Sequence, residues 1–331
     1  MTITMKSPFN ISIGMVITGK WHHNCYTIIK ELGRGANGIV YLADWNGKRV
    51  AIKISDDHVT ITSEVNVLKS FSKAQGVSLG PSLFDVDDWV RNNKKVPFYV
   101  MEYIEGKNFL TFIRQNGTVW LPVLISQLLS DLNDLHRQGW VFGDLKPDNL
   151  LVTSSPVKMR CIDVGGTTGE GRAIKEFTEF FDRGYWGLGS RRAEPTYDLF
   201  AVAMIMINAF YPKRFNKQGD CLTQLKRAID QNKELKQYKP LLLKAITGKY
   251  KSALEMKKEL LKLTHSQGKD KNTQQNIVIN QQPTKNYSNR SVRHTKTKQK
   301  RRKGSRHTLE TVFIFSIICI IYVVYIMERL L

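Results

Sequence analysis

The stretch VFGDLKPDNLLV, residues 141–152, decides how this chain is read. It sets Asp144, Lys146 and Asn149 within six positions, just after an apolar run with helical spacing that ends near Gly139. Lys-Pro-Asp-Asn alone is ordinary turn chemistry. A second carboxylate, Asp163, follows in MRCIDVGG, residues 159–166. The order is acid, lysine two residues on, asparagine five on, then another acid after a further strand. Phosphoryl transfer to a hydroxyl calls for such a set. One Asp orients the hydroxyl proton, the lysine steadies charge on the transferring group, and an amide oxygen with the second Asp holds Mg²⁺.

Upstream, GRGANG at 33–38 gives Gly33, Gly35 and Gly38 in GxGxxG spacing. Glycines let backbone approach phosphates and offer N–H donors. The motif lies between two strand-like runs rather than ahead of a helix, which favours a lid over a nucleotide and disfavours a dinucleotide site. Val50-Ala51-Ile52-Lys53 then places a lysine in an apolar strand, where burial is costly without a partner. Glu64, the lone acid between Asp57 and Asp85, sits in TSEVNVLKSF, where Val65, Leu68 and Phe71 share a helix face. It is the natural ion-pair partner of Lys53.

Strands are expected at 26–32, 39–45, 49–55, 82–88 and 98–103, which are rich in β-branched and aromatic residues. Helices are expected at 121–139, with Leu124, Leu128, Leu132 and Leu135 in step, and at 198–210, apolar nearly all round. The picture is an α+β chain with a β-rich lobe followed by a helical lobe.

GRGANG, VAIK, MEYIEG, GDLKPDN and DVGG together resemble the eukaryotic-type (Hanks-type) Ser/Thr protein kinase family over about residues 26–210. The resemblance implies a bilobal kinase fold using ATP and Mg²⁺ on protein substrates. It implies that Gly33, Gly35, Gly38 and Lys53 hold the ATP phosphates and that Lys53 pairs with Glu64. Met101 would be the gatekeeper, with Glu102 and Tyr103 as the adenine-binding hinge. Asp144 would be the catalytic base and Lys146 the γ-phosphate contact, with Asn149 and Asp163 as Mg²⁺ ligands. Asp198 would brace the catalytic loop.

Three departures from the family pattern stand out. Phe142-Gly143 replaces the usual His-Arg before Asp144, removing the arginine that commonly captures an activation-loop phosphate. Val164 replaces the usual Phe after the metal-binding Asp. Ala193-Glu194-Pro195 is a scrambled Ala-Pro-Glu, close to Asp198. Thr167, Thr168 and Thr178 are candidate autophosphorylation sites.

The 331 residues carry a formal charge of +21, which points to an anionic partner. The four cysteines show no CxxC spacing, so neither zinc nor a disulfide framework is expected, and the folded part is expected in a reducing cytosol. The N-terminus lacks the apolar core of a signal peptide. The expected organisation is an N-terminal extension (1–25), a catalytic domain (26–264), a basic flexible linker (265–310), a transmembrane helix (311–327) and a short external tail (328–331). TVFIFSIICIIYVVYIM, 311–327, spans roughly 25 Å as a helix. Ten Lys or Arg lie between 285 and 307, which keeps the catalytic domain cytoplasmic at the cell membrane. This arrangement resembles bacterial membrane kinases with a C-terminal anchor. The basic run suits lipid, at roughly 1 kcal/mol per residue, and suits sequence-independent DNA binding, which would cluster molecules for self-association and phosphorylation in trans. A pseudokinase scaffold and a small-molecule kinase on the same fold are the alternatives.

Overall fold

In the computed structural model, the described residues are 9, 11–35, 37–73 and 79–264. The expected linker, membrane span and tail lie outside them. Among the described residues no helix is long and apolar enough to cross a membrane.

The first lobe is built on strands β1 (Val16–Thr18), β2 (Cys25–Gly35), β3 (Gly38–Trp45) and β4 (Lys48–Ile54), then helix α1 (His58–Lys73), then β5 (Leu83–Arg91) and β6 (Lys94–Glu102). The strands form one antiparallel sheet in the order β1-β2-β3-β4-β6-β5. Residues of β1 to β6 turn inward, so Ile17, Tyr26, Ile28, Ile52, Ile54, Phe98 and Val100 make a dry interior.

The segment before residue 26 is more than an extension. Beyond β1, Gly19 bridges Trp89 of β5 and Lys20 N–H donates to Asp88 O at 2.8 Å, which joins the two sheet edges. Gly19 is needed at this seam, because a Cβ there would lie 2.3 Å from Asp87 Oδ2. The buried Asp87 carboxylate accepts the N–H groups of Trp21 and His22, and Asp85 accepts from Tyr26, Asn24 and His22. The period-two pattern of β1 is only three residues long, too short to be read from sequence.

The second lobe holds β7 (Lys107–Asn108), α2 (Phe109–Asn116), α3 (Leu121–Arg137), β8 (Trp140–Val141), β9 (Leu150–Val152), β10 (Met159–Cys161) and β11 (Thr168–Gly169). It continues with α4 (Pro195–Phe210), α5 (Cys221–Gln231), α6 (Lys233–Lys236) and α7 (Lys239–Ile246), and residues 253–264 are helical. The α3 leucines face inward as their spacing predicts, and the helix stops two residues before Gly139. Helix α4 starts three residues earlier than its apolar run because Pro195 suits a first helical turn. Its residues Tyr197 to Asn208 are all buried. One apolar core runs from α1 through α3 and α4, so the helix carrying Glu64 rests on the lobe carrying Asp144.

Candidate active site

A cleft of about 820 Å³ lies between the lobes, within the range usual for small-ligand sites. It is lined by Gly33, Gly35, Gly38, Lys53, Met101, Glu102, Tyr103, Asp144, Lys146, Asn149 and Asp163. Of the expected site residues, Glu64 alone is not on its wall; it stands behind Lys53.

Strand pairing sets Lys53 opposite Tyr99 on β6. Lys53 Nζ donates to Glu64 Oε1 at 2.6 Å, and the Tyr99 hydroxyl donates to Glu64 Oε2 at 2.9 Å. Both carboxylate oxygens are thus satisfied in a dry setting. Burial pushes the Glu64 carboxyl above its ordinary value, with Lys53 and Tyr99 opposing that push. Burial and the adjacent Glu64 push the Tyr99 phenol well above its own, so it remains a donor. Tyr99 was not legible as a site residue, because a tyrosine in a strand reads as core.

The catalytic loop leaves β8 at Phe142. Asp198, fully buried on α4, accepts the N–H groups of Phe142 at 2.8 Å and Gly143 at 2.9 Å. His136 Nε2 lies 2.8 Å from the same carboxylate. This brace turns the chain so that Asp144 faces the cleft. Gly143 has φ +83°, and a Cβ there would lie 2.6 Å from Gly166 O. No arginine fits at this position. The Phe142 side chain is buried in the apolar core. Val164 is buried against the surface of Gly80, which Phe71 also covers, so a small side chain fits there.

Asp144 Oδ1 accepts from the Thr178 hydroxyl at 3.1 Å, and Oδ2 accepts from Lys146 Nζ. Lys146 also reaches Thr178 Oγ1 at 3.2 Å. Asn149 Nδ2 donates to Asp144 O at 3.2 Å, and Ile162 N–H donates to Asn149 O at 3.0 Å. These bonds tie the loop to the residue beside Asp163. Asn149 spends its NH₂ on the loop, leaving its amide oxygen for a ligand. Asp163 uses Oδ1 on Gly165 N–H at 2.9 Å and keeps Oδ2 available. Two hard oxygen donors on one wall suit a magnesium-type ion.

The Glu102 side chain is turned toward Arg160, 2.8 Å from Nη2, and accepts Ser82 N–H at 3.1 Å. Burial tends to raise its carboxyl, yet Arg160 and Ser82 hold it below its ordinary value. Its N–H donates to Ser82 O, so its part at a hinge falls to its carbonyl.

Thr167 and Thr168 are buried, and the Thr178 hydroxyl is bound to Asp144 and Lys146. The Thr178 hydroxyl therefore clamps the Asp144 carboxylate through Oδ1, while Lys146 holds Oδ2. Glu194, in the scrambled motif, pairs with Arg183 at 3.0 Å, which also donates to Thr196 Oγ1 at 2.7 Å. That ion pair anchors the end of the segment that leads into α4.

Residues 26–289 match the family described as protein kinase domain. The chain is 60% identical over 250 residues to serine/threonine-protein kinase YabT of Bacillus subtilis (strain 168), covering 75% of this chain and 74% of that protein. It is 34% identical over 152 residues to serine/threonine-protein kinase cds1 of Schizosaccharomyces pombe, covering 41% of this chain and 31% of that one. It is 30% identical over 135 residues to serine/threonine-protein kinase Pkn1 of Myxococcus xanthus, covering 38% and 19%.

Proposed function

Because this chain belongs to the protein kinase family and is a protein serine/threonine kinase, we propose that it transfers the γ-phosphate of ATP to protein hydroxyls from an anchored position on the inner face of a cell membrane. The observation that carries the chemistry is the Asp144 carboxylate, held between Thr178 and Lys146 and aimed into the cleft that Lys53 and Asp163 share.

Asp144 takes the direction of the acceptor hydroxyl and draws off its proton. Lys146 sits beside it and offsets charge on the group in transfer. Lys53, fixed by Glu64, holds the phosphate chain against the glycine-rich loop. Asn149 and Asp163 are the residues that would hold Mg²⁺, which supplies charge neutralisation at the phosphates when bound.

Membrane anchoring rests on the uncharged run 311–327 and the cations before it. DNA regulation rests on the ten Lys or Arg between 285 and 307, more than a topology signal needs. Duplex DNA would gather molecules on the membrane and favour self-association and phosphorylation in trans.

The test is transfer from labelled ATP by the full chain in vesicles, with and without duplex DNA, beside Asp144→Asn. Labelling of protein acceptors that is absent from the variant supports the reading. Transfer only to a metabolite panel would redirect it to small-molecule acceptors. A chain ending at Thr264 that keeps its DNA affinity would remove the linker from the scheme.

A further inference from the structure

The segment between Asp163 and α4, residues 164–194, is stitched down by its own backbone. Strand β11 pairs with β8, and Ala173 bridges Arg192. Gly171 N–H donates to Ala193 O at 2.8 Å, Ala193 N–H to Arg172 O at 2.7 Å, and Ile174 N–H to Arg191 O at 2.9 Å. Ile174 is buried with Val141, Ala193 and Tyr197. The two residues after Ile174 therefore stand on a fixed base.

Their side chains leave that base toward two different parts of the first lobe. Lys175 Nζ donates to Ser63 Oγ at 2.9 Å and to Thr167 O at 3.4 Å. Ser63 immediately precedes Glu64 on α1, so a hold on Ser63 limits the rotation that would carry Glu64 away from Lys53. Glu176 Oε1 accepts from Asn37 Nδ2 at 2.5 Å. Asn37 immediately precedes Gly38, at the tip of the glycine-rich loop.

We propose that Lys175 and Glu176 are positioning residues, a two-residue clasp that fastens α1 with one side chain and the glycine-rich loop with the other. The clasp does without a phosphate the work that the arginine missing at Gly143 does with one. It joins a fixed segment to two elements that must be in place together: α1 for the Lys53–Glu64 pair, and the loop for the phosphates. The two halves of the clasp predict different kinetics. Loosening α1 disturbs a contact needed in the transition state, so kcat falls. Loosening the loop weakens retention of nucleotide, so KM for ATP rises.

This inference rests on the kinase reading of the cleft, and the experiment keeps the two apart. The full chain in vesicles is assayed as wild type, Lys175→Met, Lys175→Arg, Ser63→Ala, Lys175→Met with Ser63→Ala, and Glu176→Ala, with hydrogen exchange on α1 and thermal melts as controls for folding. Lys175→Met is expected to lower kcat about tenfold and to speed exchange in α1, with Lys175→Arg restoring both. Adding Ser63→Ala to Lys175→Met is expected to cost nothing further. Glu176→Ala, which removes the acceptor for Asn37, is expected to raise KM for ATP several-fold with kcat close to wild type. An active wild type with Lys175→Met unchanged in kcat and in α1 exchange overturns the clasp, as do fully additive effects of Lys175→Met and Ser63→Ala. An inactive wild type that binds ATP overturns the kinase reading itself.

Discussion

Lys53 Nζ and Glu64 Oε1 are 2.6 Å apart, with side-chain exposures of 8% and 2%. A pair so withdrawn from water is costly to break, because the survivor keeps its charge without its partner. Glu64→Gln is expected to destabilise the domain by about 3 kcal/mol and to reduce transfer sharply. Urea unfolding beside a transfer assay measures both. An unchanged midpoint would mean that the pair opens to water in solution.

On the proposed reading, Asp144 is the group on which the chemistry depends. Asp144→Asn is expected to reduce kcat by about a thousandfold with little change in ATP binding. The clamp on it separates by chemistry: Thr178→Ala should lose about tenfold, while Thr178→Ser keeps the hydroxyl and should stay near wild type. Equal losses in the alanine and serine variants would assign Thr178 a packing role only.

Gly143 decides whether the arginine route can be restored. The left-handed backbone and the 2.6 Å approach to Gly166 O leave no room for a side chain. Gly143→Ala is expected to cost about 2 kcal/mol or more, and Gly143→Arg should not yield a better enzyme. A stable, more active arginine variant would show that the catalytic loop adopts a second path.

Asp131, on the buried face of α3, has an Oδ2 atom with no hydrogen-bond partner among the described residues. Burial, aided by Asp134, raises its pKa from 3.8 to about 6 against the pull of Lys158 and Arg160. The folded state therefore binds this proton more tightly than the unfolded chain. Its contribution to stability is full below about pH 4 and is lost as pH rises through about 6. Asp131→Asn should raise the melting temperature at pH 8, by an amount corresponding to about 3 kcal/mol, and the gain should vanish near pH 4. A gain that is independent of pH would contradict the assignment.

Much of this was legible because two periodicities and one cluster carried it. The strands around Lys53 and the helices over Leu124–Leu135 follow from where apolar residues recur, and the Asp144, Asn149 and Asp163 set follows from order and spacing. Tyr99, His136 and Arg160 were not legible. Each reads as an ordinary strand or helix residue, and its role appears only when strand register or helix packing brings a distant carboxylate to it. Thr178 was legible as a hydroxyl but not as a clamp, since nothing in sequence places it 34 residues on against Asp144. The short β1 and its seam with β5 were hidden for a different reason: three residues carry too little pattern to register.

That seam has a practical reach. A chain begun at residue 26, where the family match starts, would lack the strand and turn that join β2 to β5. It would bare two sheet edges at once and strip Asp87 of the N–H donors of Trp21 and His22. Exposed edges recruit further strands from neighbouring molecules. Such a shortened protein should come out of cells as aggregate, although every residue that touches the nucleotide cleft would still be present.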